Sequence, residues 1–353
     1  MEIKNLNEVC MINMGQSPDS SSYNDKKEGL AFYQGNADFG EIHPTTRVWC
    51  NNPIKIAEKD DILISVRAPI GSMNIANEKC CIGRGLASIK PIDKNECNQN
   101  YLYYFLESKV PYMQSKGTGS TFKAINKGIL TSLQIKLPNI REQEKISSII
   151  SKIKAQIHNK KLQIRKYDEL VKSQFIEMFN NKNFEQVLLS AVIDYEQPTK
   201  YIVSSENYKD EYPTPVLTAG KSFILGFTNE INGIYKGSDK PTLIFDDFTT
   251  DCKYVDFDFK VKSSAMKLLH LKNADEQLLY YFYAINKIGF KPESHQRHWI
   301  SKFANFKVGK PPIELQNQFA DFVKHIDKLK FTIKQSIEKL ELCYKSLMKQ
   351  YFD

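Results

Sequence analysis

The chain has 353 residues, 41% of them hydrophobic, and 49 lysines and arginines against 41 aspartates and glutamates give a formal charge of +8. Nowhere do 18 apolar residues follow one another, which excludes a membrane-spanning helix, and seven cysteines without a Cys-x-x-Cys pair argue for a reducing compartment and against zinc. Met1 to Asn7 carries no apolar leader, so a cytoplasmic, unanchored protein is expected, and the basic balance makes nucleic acid the leading partner.

In chain order, Gly15-Gln16-Ser17-Pro18, a serine run and Tyr23-Asn24 read as a polar loop with amide, hydroxyl and aromatic groups. Asp61 to Val66 predicts a strand that delivers Arg67 to the loop Ala68-Pro69-Ile70-Gly71. Cys80 and Cys81 are ordinary thiols on alternate faces of a strand, and Arg84, between Gly83 and Gly85, stands on an exposed tight turn before the strand Gly85 to Ile89. Asn100 to Ser108, with Tyr101, Tyr103, Tyr104 and Phe105, predicts a short buried helix. In the loop Gln114 to Lys127, two glycines let backbone amides approach phosphates, Thr118 and Ser120 offer hydroxyls, and Lys116, Lys123 and Lys127 supply charge. Leu133 to Leu137 closes this module as a strand.

A long amphipathic helix follows, and it occurs twice. Pro138 to Asn180 aligns without a gap with Pro311 to Asp353, through identical pairs such as Gln143/Gln316, Ile153/Ile326, Ile164/Ile337 and Phe179/Phe352. The first copy carries a seam at Ile146, Ile150, Ile153, Ile157, Lys160, Ile164, Tyr167, Val171, Gln174 and Met178, and the second at Phe319, Val323, Ile326, Lys330, Ile333, Ile337, Leu340, Tyr344, Leu347 and Tyr351. Steps of alternating fours and threes keep one stripe against one partner helix. Each helix would run roughly 50 Å, longer than the core of its own half requires, so two rods packed on each other are expected rather than two ordinary core helices.

Between the rods lies a second mixed module. Thr242 to Phe245 and Met266 to Leu271 predict strands, and Glu276 to Asn286 repeats the tyrosine-rich helix. A polar loop, Lys291 to Trp299, then offers His295, Gln296, Arg297 and His298, of which Gln and Arg make the paired hydrogen bonds that read adenine and guanine edges. Phe306 to Val308 closes the module; Lys221 and Lys253 complete its candidate contacts. The domains expected are 1–137, a first helical region 138–182, a second module 183–310, and a second helical region 311–353. Two modules that share a frame but differ in their loops suit recognition of two targets at a set distance.

Catalytic patterns fail in turn. Ala219-Gly220-Lys221-Ser222 resembles the end of a phosphate loop, but Pro215 stands where that loop needs glycine. Gly117-Thr118-Gly119 lacks the third glycine of a dinucleotide site, and Asp25-Lys26-Lys27 and Asp258-Phe259-Lys260 are common tripeptides in a lysine-rich chain. Asp246-Asp247 has no partner carboxylate in the first module, and His295 and His298 have no third metal ligand at sensible spacing. No nucleophile elbow or His-Glu-x-x-His is present.

Several segments together resemble the specificity (S) subunits of Type I restriction-modification systems over essentially the whole chain. They are Gly15 to Pro18 with Tyr23-Asn24; Asp61 to Gly71; Gly85-Leu86-Ala87; Leu137-Pro138-Asn139-Ile140-Arg141-Glu142-Gln143-Glu144 and its counterpart Pro311 to Gln318; and, in the second module, Leu217 to Ser222, Ile244 to Thr250 and Lys253 to Phe257. The resemblance implies an α+β chain with two mixed α/β target-recognition domains, each reading one half of a bipartite site in double-stranded DNA. The two helical regions would form an antiparallel coiled coil that fixes the spacer. Such subunits dock two copies of a DNA adenine methyltransferase subunit and further recruit ATP-driven restriction subunits, so S-adenosylmethionine, ATP and magnesium would belong to partners and this chain would be non-catalytic. Three alternatives stay open: a subunit serving a fused nuclease-methylase, a coiled-coil adaptor that binds protein alone, and a cryptic nuclease or NTPase using Lys221 or Asp246.

Overall fold

The computed structural model describes residues 2–119, 123–180, 183–218, 222–290, 292 and 296–353. They form two units, Met1–Lys161 with Gln335–Asp353, and Leu162–Lys334, so each rod contributes half of its length to each unit.

In the first unit a four-stranded antiparallel sheet runs Cys10–Met14, Leu86–Pro91, Ile62–Ser65, Met73–Ile75. Ile62–Ser65 is buried throughout, as its unbroken apolar run requires of a central strand. A second sheet of five short strands contains Leu30–Tyr33 and Cys80–Ile82 as its one parallel pair. Cys80 and Cys81 face different clusters of this sheet, and burial pushes the Cys80 thiol up to about 12, which keeps it protonated and unreactive. The closing strand Gln134–Leu137 pairs with Glu2–Asn5. On the core side lies the tyrosine-rich helix Gln99–Ser108, capped by the Asn98 side chain, which accepts from the Asn100 and Tyr101 amides.

The second unit repeats this frame. Its four-stranded sheet, Ile193–Glu196, Met266–Leu271, Thr242–Asp246, Cys252–Val255, has the same order of first, fourth, second, third strand along the chain. The ladder Glu185–Leu188 with Lys307–Lys310 closes it as in the first unit. Even single bonds recur: Tyr101 donates its hydroxyl to the Lys136 carbonyl (2.8 Å), and Tyr280 does the same to Gly309 (2.6 Å). What differs is the second sheet, here three strands, Ile224–Thr228, Thr214–Leu217 and Lys260–Val261.

Both rods are 40-residue helices, Ile140–Phe179 and Ile313–Phe352, each about 60 Å long at ~1.5 Å per residue. Within each unit they run antiparallel. In the first, Lys161 pairs with Glu341 at 2.8 Å, while Lys154 and the Tyr344 hydroxyl both reach Glu107. In the second, Lys330 pairs with Asp168 at 2.7 Å, and Phe319 packs between Phe175 and Phe179. Ile150, Val171, Val323, Ile326, Ile333 and Ile337 are buried, and Ile153, Ile157, Ile164 and Tyr344 are half-buried. Toward the C-terminal end of each rod the buried stripe moves one residue on from the expected seam, to Phe175 and Phe179 rather than Gln174 and Met178, and to Met348 and Phe352 rather than Leu347 and Tyr351. A straight helix drifts by ~20° per heptad against a 3.5-residue repeat, and these ends pack onto the module cores, which reward the larger side chain.

Each rod is latched to its module by a buried glutamine. Gln143 accepts from the Asn98 amide (2.8 Å) and donates to the Pro138 and Glu96 carbonyls (2.8 Å each). Gln316 accepts from the Gln277 amide (3.0 Å) and donates to the Pro311 carbonyl and the Glu276 carboxylate (2.9 Å each). Both side chains are inaccessible to water, and both latches join the first rod turn to the N-terminus of the tyrosine-rich helix.

Candidate nucleic-acid interface

Backbone ties in the first unit draw separate loops into one surface. Strand Ile62–Ser65 ends at Arg67, whose carbonyl accepts from the Ser65 hydroxyl at 2.7 Å. The Ala68 amide donates to the Lys123 carbonyl, and Ala124 bridges both Arg67 and Thr118, so the glycine-containing loop folds back onto the arginine segment. On the other side the Arg84 amide donates to the Ser17 hydroxyl at 3.2 Å, and the Gln16 amide to the Ile82 carbonyl at 3.0 Å. Gly15 is required for this approach, since a Cβ there would lie 2.2 Å from the Gly83 carbonyl oxygen. Gln16, Arg67, Arg84, Lys116, Thr118, Lys123 and Lys127 are all exposed, and Ser17 is half-buried.

Arg67 and Arg84 line a depression of about 200 Å³ together with Gln34, Gly35, Asn36 and Ser65, and it adjoins an open cleft of about 600 Å³ that reaches Tyr23, Phe32 and Arg47. The segment Gln34 to Asp38 is held from behind. One Asp38 carboxylate oxygen accepts from the Gln34 and Gly35 amides at 2.7 and 3.3 Å, and the other from Arg47 at 2.5 Å. Gln34 and Asn36 are absent from the sequence-based candidates; the available signal was a short Gln-Gly-Asn turn directly after the apolar strand Leu30–Tyr33.

Other expected contacts have structural work instead. The Tyr23 hydroxyl donates to the Pro18 carbonyl (2.8 Å) and its ring stacks on Phe32 at 4.7 Å, a burial that raises its phenol. The Asn24 carboxamide oxygen accepts from the Lys26 and Glu28 amides, and its nitrogen donates to the Glu28 carbonyl, so its hydrogen bonds close a turn. In the second unit Lys253 is exposed on the strand Cys252–Val255, and Gln296 and Arg297 are exposed just before the helical turn His298–Ser301. His298 is a correction: it is 1% exposed and packs on Phe290, because this turn directs His298 and Trp299 inward to anchor the loop. The anchor is Asp247, whose carbonyl accepts from the His298 amide (2.9 Å) and whose carboxylate accepts from the Trp299 amide (2.8 Å) and pairs with buried Lys267 (3.3 Å). Ser120, Lys221 and His295 lie outside the described residues.

The discarded catalytic fragments are likewise engaged. Asp246 accepts from the Phe248 and Thr249 amides. Asp258 pairs with Lys236 and Ser238, whereas Lys260 is buried against the Asn232 carbonyl and Glu230. Among the described residues no group of three His, Cys, Asp or Glu is placed to hold a metal ion.

Residues 1–166 match the family model described as the Type I restriction modification DNA specificity domain. The match falls on the first unit's module and the start of the first rod. Arg67, Arg84 and Lys123 all lie within the matched residues. The chain is 47% identical over 138 residues to the Type I restriction enzyme EcoR124I/EcoR124II specificity subunit of Escherichia coli, covering 38% of this chain and 34% of that protein. It is 32% identical over 144 residues to the Type I restriction enzyme MjaIX specificity subunit of Methanocaldococcus jannaschii, covering 40% and 32%. This chain's matches thus span about a third of the length of its curated relatives. The fold of the whole chain is that of the S subunit of a Type I restriction-modification system from M. genitalium, with a TM-score of 0.64 over 100% of this chain and 96% of that one, at 16% identity.

Proposed function

We propose that this chain is a non-catalytic, sequence-specific DNA-recognition subunit of a Type I restriction-modification complex. The observation that carries the reading is the specificity-domain match over residues 1–166, with its exposed basic and amide surface around Arg67 and Arg84. Residues 1–137 and 183–310 are the two target-recognition domains, each reading one half of a bipartite duplex site; 138–182 and 311–353 form the antiparallel coiled coil that sets the spacer. In the first domain Gln16, Ser17, Arg67, Arg84, Lys116, Thr118, Lys123 and Lys127 face DNA, and in the second Lys253, Gln296 and Arg297. Lysines and arginines neutralise phosphates and make binding steeply salt-dependent, while amides and guanidinium groups discriminate base edges.

The chemistry belongs to docked partners: two adenine methyltransferase subunits that use S-adenosylmethionine and, where present, ATP- and magnesium-dependent restriction subunits, all in the cytoplasm. Co-expression of the chain with its methyltransferase in a host without adenine methylation, followed by long-read mapping of modified adenines, tests this. A split motif with a fixed gap is expected; a soluble complex that leaves the genome unmodified overturns it. Inserting one heptad into both rods lengthens the gap and leaves both half-sites unchanged; altered half-sites with an unchanged gap refute the ruler.

A further inference from the structure

We infer that the depression formed by Gln34, Asn36, Arg67 and Arg84 is the base-reading centre of the first domain, and that its half-site contains adenine, taken by the two carboxamides, beside guanine, taken by the arginines. The inference rests on the DNA-recognition reading above and names the ligand chemistry of that surface.

Three observations carry it. First, the backbones are fixed, while among the described residues the side chains stay unbonded. Asp38 holds the Gln34 and Gly35 amides, Arg84 sits on a turn bonded to Ser17, and Arg67 is tied through Ser65 and Ala124. Yet no hydrogen bond or ion pair engages the side chains of Gln34, Asn36, Arg67 or Arg84 among the described residues. Arg47, by contrast, is spent on Asp38, so among the described residues Arg67 and Arg84 are the arginines of the depression without an ion pair. Second, the turn Gly83 to Gly85 is pressed against this segment: a Cβ on Gly85 would lie 2.4 Å from the Gln34 carbonyl oxygen. That contact brings the turn that carries Arg84 against the Gln34 segment, and both residues line the depression.

Third, Gly35 has no local reason to be glycine. Its φ of −176° is extended backbone that any residue adopts, and a Cβ there would meet nothing within 4 Å. It lines both the depression and the adjoining cleft. A bare backbone in open space between two carboxamides leaves room for a ligand that approaches closely, as a base edge does. Two carboxamides and two guanidinium groups are the set that makes paired hydrogen bonds to the N6/N7 edge of adenine and the O6/N7 edge of guanine. A phosphate-only site would need neither amide.

The test is the methylome of the full chain with its methyltransferase, for the wild type and for Gln34→Ala, Asn36→Ala, Arg67→Ala, Arg84→Ala and Gly35→Val. Each alanine variant should lower discrimination roughly 10- to 100-fold at one position of the first half-site, adenine for the amides and guanine for the arginines, with the gap and second half-site unchanged. Gly35→Val should keep the wild-type melting temperature and abolish modification, because it fills the approach without disturbing the fold. An unchanged first half-site in all five variants, or an equal loss at every site with the motif intact, overturns the inference. If an alanine variant does not fold, the near-isosteric Gln34→Glu decides: a shift from adenine toward cytosine at one position supports base reading, and no shift refutes it. A wild type without a split motif fails the underlying reading instead.

Discussion

Replacing Gln143 with methionine keeps the length of the side chain and deletes three hydrogen bonds at once. The Asn98 amide and the Pro138 and Glu96 carbonyls each lose a partner at 2.8 Å. A buried polar group left unsatisfied costs about 1–3 kcal/mol. Glu96 is exposed, so water can take over its carbonyl, which leaves two groups and a loss of about 3–4 kcal/mol in the first unit. For a unit of this size that lowers the melting temperature by on the order of 10 °C. Differential scanning calorimetry of the full chain reads it, with Arg141→Ala on the exposed side of the same turn as control, expected within about 0.5 kcal/mol. Gln143→Glu should be worse than methionine, since a carboxylate presents acceptors to two carbonyls. A loss below about 1 kcal/mol for methionine would falsify the latch.

Lys267→Met leaves the buried Asp247 carboxylate without its cation and should cost the second unit about 3–5 kcal/mol in urea denaturation; a near-neutral result would mean the pair is dispensable. Glu276 is pushed up by burial, but hydrogen bonds from Lys310, Gln316 and Tyr281 outweigh it and hold the carboxyl below the ordinary range. A depressed carboxylate contributes stability above its unfolded pKa and loses it as pH falls through the folded value, so the second unit should weaken below about pH 4, and Glu276→Gln should flatten that slope. Gln296→Ala and Arg297→Ala should relax only the half-site read by the second domain, measured by methylation mapping; a loss equal across all sequences would make them phosphate contacts.

The rods and the repeated frame were legible because their periodicity is carried by many residues at once. The seam places its isoleucines on the inward stripe from Ile150 to Ile337. It misplaces the deepest residues at the ends, where Phe175, Phe179, Met348 and Phe352 answer to module cores instead of to a partner helix. The loops were legible only as polar and basic. Nothing in the string separates Tyr23 and Asn24, whose polar atoms close their own turn, from Arg67 and Arg84, whose side chains make no hydrogen bond among the described residues. His298 looked like its neighbour Arg297, yet one step along a helical turn buries it. Gln34 and Asn36 were missed because their significance comes from Asp38, Arg67 and Arg84, which the fold brings to them from up to 50 positions away along the chain.

The division between what repeats and what varies has a mechanical consequence. The bonds shared by the two modules, the glutamine latches, the tyrosine hydroxyls on the closing strands and the strand order of the four-stranded sheet, all lie on the side that meets the rods. The elements that differ are a five-stranded sheet in one module and a three-stranded sheet in the other; the first carries Gln34 and Asn36 just after Leu30–Tyr33 and leads through Cys80–Ile82 to Arg84, and neither latch bonds to it, whereas Arg67 leaves the shared four-stranded sheet. Substitutions in the second sheets therefore leave the attachment to the rods untouched. On the proposed DNA-reading role, substitutions in the second sheets would change the bases read without changing the gap, and changes in rod length would do the reverse.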